Sequence, residues 1–230
     1  MSEAAFRYKP VLQRSVGELD VRFRLRGDLS VLDHLRQSGC LKARFPHPTN
    51  PSWMDVATLN ISGGIAGGDA LTQRFSLSPA TRVTIATQAP ERIYRARCED
   101  KPAGVGTSID IGEGAAAEWL PQETILFNGA GLRRSLRVKM HDGGRFLGIE
   151  ALVFGRLSMG EAVHQLSLQD TVSITCRGRK LLHDISRIHG DAAELLSCPA
   201  IVNHARAVAT VIYAADDAAF PARSASRCTG

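Results

Sequence analysis

Two carboxylates, Glu118 and Glu123, flank Trp119, Pro121 and Gln122 in the stretch EWLPQETILFNGA, residues 118–130. A half-buried strand normally sheds such groups. A buried polar group costs free energy unless it is hydrogen-bonded, and a buried charge unless it is paired. Three other segments share this character. LNISGGIAGGD (59–69) sets Gly63, Gly64, Gly67 and Gly68 before Asp69; TQAPERIYRA (87–96) sets Gln88 ahead of Tyr94 and Arg95; GIEALVFGRLSMGE (148–161) holds Glu150 in an apolar run and ends on Glu161. Carboxylates placed in this way could act as general acid and base or hold a cation through oxygen donors. They could also pair with Arg92, Arg95 or Arg156 while Pro121 turns the chain.

Hydrolysis finds little support in the residues. The chain has no Gly-x-Ser-x-Gly elbow, no ordered Ser/His/Asp set and no carboxylate pair in a catalytic motif. The glycine-rich segment matches neither the GxxxxGK[ST] phosphate loop nor a strand–GxGxxG–helix unit, and the strand-like ALTQRFSL follows it. Cysteines at 40, 98, 176, 198 and 228 form no CxxC pair, and the seven histidines are dispersed. A sequential zinc site is therefore not expected. The residues by themselves leave an enzyme, a binding module and an assembly factor open.

The elements that must position these groups read as strands. Apolar and polar residues alternate over 19–28, 71–79, 82–88, 107–114, 134–140, 146–155, 164–178 and 205–215, with turn residues between them. A period of two over many short segments predicts an all-β protein. No helical crossovers of βαβ length separate them. Two short helices are expected. One is SVLDHLRQS (30–38), capped by Ser30, with apolar residues at 31, 32 and 35; the other is HGDAAELLSC (189–198), starting near Asp191. One compact domain over 1–216 is the simplest organisation, with 217–230 as an atypical, disordered tail.

The 230 residues carry a formal charge of +5. The basic clusters VRFRLRGD and GLRRSLRVKM alternate with apolar residues, which on strands places the arginines on one wet face; a nucleic-acid partner is not expected. No run of about 18 apolar residues marks a membrane helix. The N-terminus MSEAAFRYKP lacks the apolar core of a secretory signal, so a cytoplasmic setting is expected.

Taken together and in order, the four polar segments resemble the urease accessory protein UreD (UreH) family. The resemblance rests on Gly63, Gly64, Gly67, Gly68 and Asp69; on Thr87, Gln88, Ala89, Tyr94 and Arg95; on Glu118, Trp119, Leu120, Pro121, Gln122, Glu123, Ile125 and Phe127; and on Gly155, Arg156, Gly160 and Glu161. It spans roughly residues 10–215. It implies a non-enzymatic scaffold, built as a β-helix-like stack of strands, that helps load nickel into apo-urease with UreF-like and UreG-like partners. It further implies no tightly bound cofactor, only nickel in transit through a polar passage. Asp69, Gln88, Glu118, Gln122, Glu123, Glu150 and Glu161 are the expected lining. Family members usually run several tens of residues longer at the C-terminus. The alternative is a β-rich protein-binding module unrelated to nickel.

Overall fold

Alternation buries every second residue along the central strands, and that pattern builds two sheets around one core. The computed structural model describes residues 13–215 apart from 49, 98 and 157–159. Fifteen strands and one short helix follow in chain order: β1 (Val16–Arg26), β2 (Leu29–Gly39), β3 (Leu41–Arg44), β4 (Met54–Asn60), β5 (Ala70–Leu77), β6 (Arg82–Thr87), β7 (Glu91–Ile93), β8 (Ala103–Ile111), β9 (Ala116–Leu120), β10 (Thr124–Leu126), β11 (Ala130–Met140), β12 (Arg145–Phe154), β13 (Gln165–Cys176), β14 (Arg179–Asp191), α1 (Ala192–Ser197) and β15 (Ala207–Ala215). The first sheet runs β14-β13-β11-β8-β5-β1-β2. The second runs β3-β4-β6-β9-β12-β10-β7, with β15 antiparallel on β12.

The chain crosses from one sheet to the other and back, so β5, β8, β11 and β13 are parallel neighbours, as are β4, β6, β9 and β12. Parallel neighbours require a crossover; here the crossover is a strand of the opposite sheet. That arrangement matches the stacked, β-helix-like fold expected. Between the sheets, Phe23, Phe75, Ile85, Ile109, Leu132 and Phe146 are almost fully buried. The expected tail, 217–230, lies outside the described residues.

One of the two expected helices forms. Asp191 caps α1, its side chain accepting from the Glu194 amide. Segment 30–38 is instead strand β2, paired antiparallel with β1. The reason is a bulge. Arg22 faces His34 while Phe23 faces Leu32, so Asp33 is the extra residue. The bulge shifts the phase of alternation, and Val31, Leu32 and Leu35 then mimic helical spacing. Ser30, expected to cap that helix, accepts from the Arg82 amide at 2.8 Å.

The second sheet has a seam. β6 stops at Thr87 and resumes as β7 at Glu91; β9 stops at Leu120 and resumes as β10 at Thr124. β12 runs unbroken beside them, pairing its first half with β9 and its second with β10. One coil earlier, β4 stops at Asn60 and Ile65 alone bridges to Ile93. Three adjacent coils are thus interrupted at 61–64, 88–90 and 121–123. Pro90 and Pro121 sit in two of these breaks, where a residue without an N–H cannot continue a ladder.

Candidate functional site

The seam opens onto a polar cluster between the sheets. Arg134 points inward from β11, unlike the exposed Arg133 and Arg137 beside it. Its Nε and Nη2 donate to Asp170 at 3.0 and 2.5 Å, and its Nη1 donates to Thr124 Oγ1 at 3.0 Å. The same Nη1 lies 2.7 Å from Glu150 Oε2, a close ion pair outside hydrogen-bond geometry. Trp119 Nε1 donates to the other Glu150 oxygen at 2.8 Å. Glu150 is 7% exposed. Burial raises its pKa, an effect the nearby Arg134 only partly offsets. Burial acts against the charge on Arg134, but Glu150 and Asp170 reverse it and hold the guanidinium protonated.

Two small cavities meet at the seam. The inner one, about 60 Å³, is lined by Gln73, Thr87, Glu91, Gln122, Arg134 and Glu150 among others. The outer one, about 70 Å³, is lined by Thr58, Asn60, Gln88, Pro90, Gln73, Thr87 and Glu91. One water needs about 10–15 Å³ of such space, so each cavity has room for a few waters or a partly hydrated ion but not a sizeable organic ligand. Gln73, Thr87 and Glu91 line both and form the neck. Gln73 is 7% exposed, and its Oε1 has no hydrogen-bond partner. Glu91 accepts from Asn60 Nδ2 at 3.1 Å, and burial pushes its pKa up. Thr87 Oγ1 donates to Ala89 O and accepts from the Gln122 amide at 2.8 Å, tying two breaks together.

The sequence-derived residues separate into distinct places. Glu150 and Gln122 line the inner cavity and Gln88 the outer one. Glu118 lies on the opposite face of β9 from buried Trp119, where its Oε2 accepts from Thr84 Oγ1 at 2.8 Å. Glu123 lines neither cavity; its carbonyl accepts from the Glu91 amide at 3.0 Å. Asp69 is buried and accepts from the Ser15 and Ala66 amides at 2.7 and 2.8 Å. Glu161 pairs with Arg156 Nε at 2.9 Å. Among the described residues, no three His, Cys, Asp or Glu side chains converge as a metal site.

Glu91, Gln73, Arg134 and Asp170 belong to the site and went unnoticed in the sequence. Glu91 sits inside the quoted TQAPERIYRA, and a carboxylate directly after a strand-breaking proline was its available signal. Arg134 carried a weaker one: in GLRRSLRV, adjacent arginines must point to opposite faces of a strand.

The remaining motif residues brace the end of the seam. Tyr94 stacks edge-on against Phe127 at 5.2 Å, and the Arg156 guanidinium lies 4.3 Å over the Phe127 ring. Tyr94 donates to the Gly63 carbonyl at 3.1 Å. Gly64 has φ +140°, and a Cβ there would lie 2.3 Å from the Tyr94 ring. We therefore expect Gly64→Val to cost about 1–3 kcal/mol of strain, lowering Tm by about 2–12 °C in a chain this size. A thermal unfolding scan checks this.

Comparison with known proteins places these features in a family. The model of the UreD urease accessory protein family matches residues 15–229. A urease accessory protein UreD of Ruegeria pomeroyi is 38% identical over 200 residues, covering 87% of this chain and 77% of the relative. One of Paracoccus denitrificans is 39% identical over 208 residues, covering 90% and 72%. One of Rhizobium rhizogenes is 37% identical over 214 residues, covering 93% and 77%. Seam, buried polar cluster and sequence likeness all fall within the matched region, and the chain belongs to the UreD family of urease accessory proteins.

Proposed function

We propose that this protein is a non-enzymatic scaffold that passes nickel through its seam toward apo-urease, acting in the cytoplasm with UreF-like and UreG-like partners. The observation that carries this reading is the shared neck. Two cavities with Gln73, Thr87 and Glu91 in common bring oxygen and amide groups, set among apolar side chains, between the break at 88–90 and Glu150. Oxygen and amide donors hold a divalent cation without trapping it, unlike a closed thiolate–imidazole cage. Arg134 holds Asp170 in a bidentate pair, leaving Glu150 Oε2 in a contact that a cation could displace.

Glu91→Gln tests the passage. In cells lacking their own UreD, we expect this variant to load at least tenfold less nickel per urease than the parent while reaching the same abundance. Full activation would overturn the passage. The pKa of Glu91 adds a second readout. Its folded value is raised by burial, so the stabilising form is the protonated one. That contribution is full below the unfolded pKa and is lost as pH rises through the folded pKa. A permanently neutral Gln escapes the loss, so at neutral pH the variant's Tm should equal or exceed the parent's.

A further inference from the structure

The outer face of the seven-stranded sheet carries a second feature. There β8 presents Gly104, Gly106 and Ser108, which leave a shallow trough between its neighbours. Register puts Arg74 on β5 and Arg137 on β11 in one row, either side of Ser108. Two strand spacings separate them, about 10 Å. Arg133 lies four residues from Arg137 along β11, about 13 Å at strand rise. None of the three has a hydrogen bond or ion pair among the described residues.

Three arginines on the β1–β2 side differ. Arg22 pairs with Asp20 at 3.4 Å, Arg24 with Asp33 at 2.9 Å and Arg36 with Glu18 at 3.6 Å. Three unpaired guanidiniums are therefore gathered at the trough, with Arg187 of β14 beyond Arg133 in the same row, while three on the β1–β2 side are neutralised and the trough's own Asp110 is taken by Lys139 and His141. Like charges gathered on one sheet face repel, and a partner's carboxylates would relieve that repulsion through bidentate pairs. Of the two rings in the trough's lining, Phe75 is buried in the core and the His183 imidazole is the exposed one.

We propose that this trough docks an acidic segment of a partner protein, its Asp or Glu side chains set between Arg74, Arg133 and Arg137. The inference is independent of nickel transit. The test titrates a fluorescein-labelled peptide of alternating Glu and Ser into the full chain and reads anisotropy at low salt. Two triple variants carry equal charge loss: R74S/R133S/R137S in the trough and R22S/R24S/R36S at its margin. All six side chains are exposed, and an unchanged Tm confirms folding. We expect the trough variant to weaken binding at least tenfold and the margin variant less than threefold. Equal weakening, no binding by the parent, or tighter binding of a single-stranded oligonucleotide than of the peptide would each overturn the proposal. The probe contains neither urease nor nickel, so failure here leaves the transit reading standing.

Discussion

Arg134→Ala should be the most damaging single substitution in the interior, lowering stability by about 3–5 kcal/mol. The side chain is 12% exposed and sits between Glu150 and Asp170. Removing it leaves two buried carboxylates with no cation, each needing protonation or water. For a chain of this size that loss is roughly 10 °C in Tm. The complementary experiment replaces the whole cluster. Arg134→Met with Glu150→Leu and Asp170→Leu removes charges and partners together, and buried ion networks replaced in this way often lose no stability. We expect the triple variant to recover most of the lost Tm and still fail to activate urease. A Tm for Arg134→Ala within 2 °C of the parent would sink the electrostatic account of the core.

The triple variant matters because, on the transit reading, stability and function pull apart at this site. Arg134, Glu150, Asp170 and an unpartnered Gln73 lie within one pair of sheets. Buried polar groups left partly unsatisfied reduce stability, and retaining them is the usual cost of a functional interior. Here they lie behind a line of weakness in the sheet wall, where three coils break in adjacent positions.

That line also explains which parts of the sequence could be read directly. Long strands such as β12 and β13 bury alternate residues without interruption, so period two identifies them. β2 misled because the bulge at Asp33 changes phase mid-strand. β14 carries a similar bulge between Ile174 and Thr175 of its pairing with β13, and it lies at a sheet edge with most residues exposed, so its alternation is faint. The polar segments were legible as exceptions to strand patterning, and the structure gives the reason: 59–69, 87–96 and 118–130 are the stacked interruptions themselves. Their roles were less legible. Glu118 and Trp119 are adjacent in sequence yet face opposite sides of β9, and parity relative to the buried face decides which one reaches the cavity. Asp69 looked like a ligand because a carboxylate after glycines has the same signature as one that holds a turn.

Gln73→Leu should separate transit from folding more cleanly than any charged substitution. Gln73 reaches the neck from β5, on the sheet opposite the seam, and lines both cavities. Its Oε1 is buried without a hydrogen bond, a state that costs about 1–3 kcal/mol. Leucine has similar volume, carries no polar atom and faces an apolar neighbourhood that includes Trp119, Leu132 and Leu136. We therefore expect the Tm to hold or rise by a few degrees. Nickel loading should move the other way, because a cation crossing the neck would lose one of the three polar groups that both cavities share. The expected fall is about tenfold in nickel bound per urease, read by metal analysis of urease purified from cells expressing the variant in place of the parent. A stable variant that activates urease fully would mean that nickel does not pass between these sheets, and the buried polar cluster would then need a purely structural account. A variant both more stable and inactive would tie the unpartnered amide to the transit of the ion.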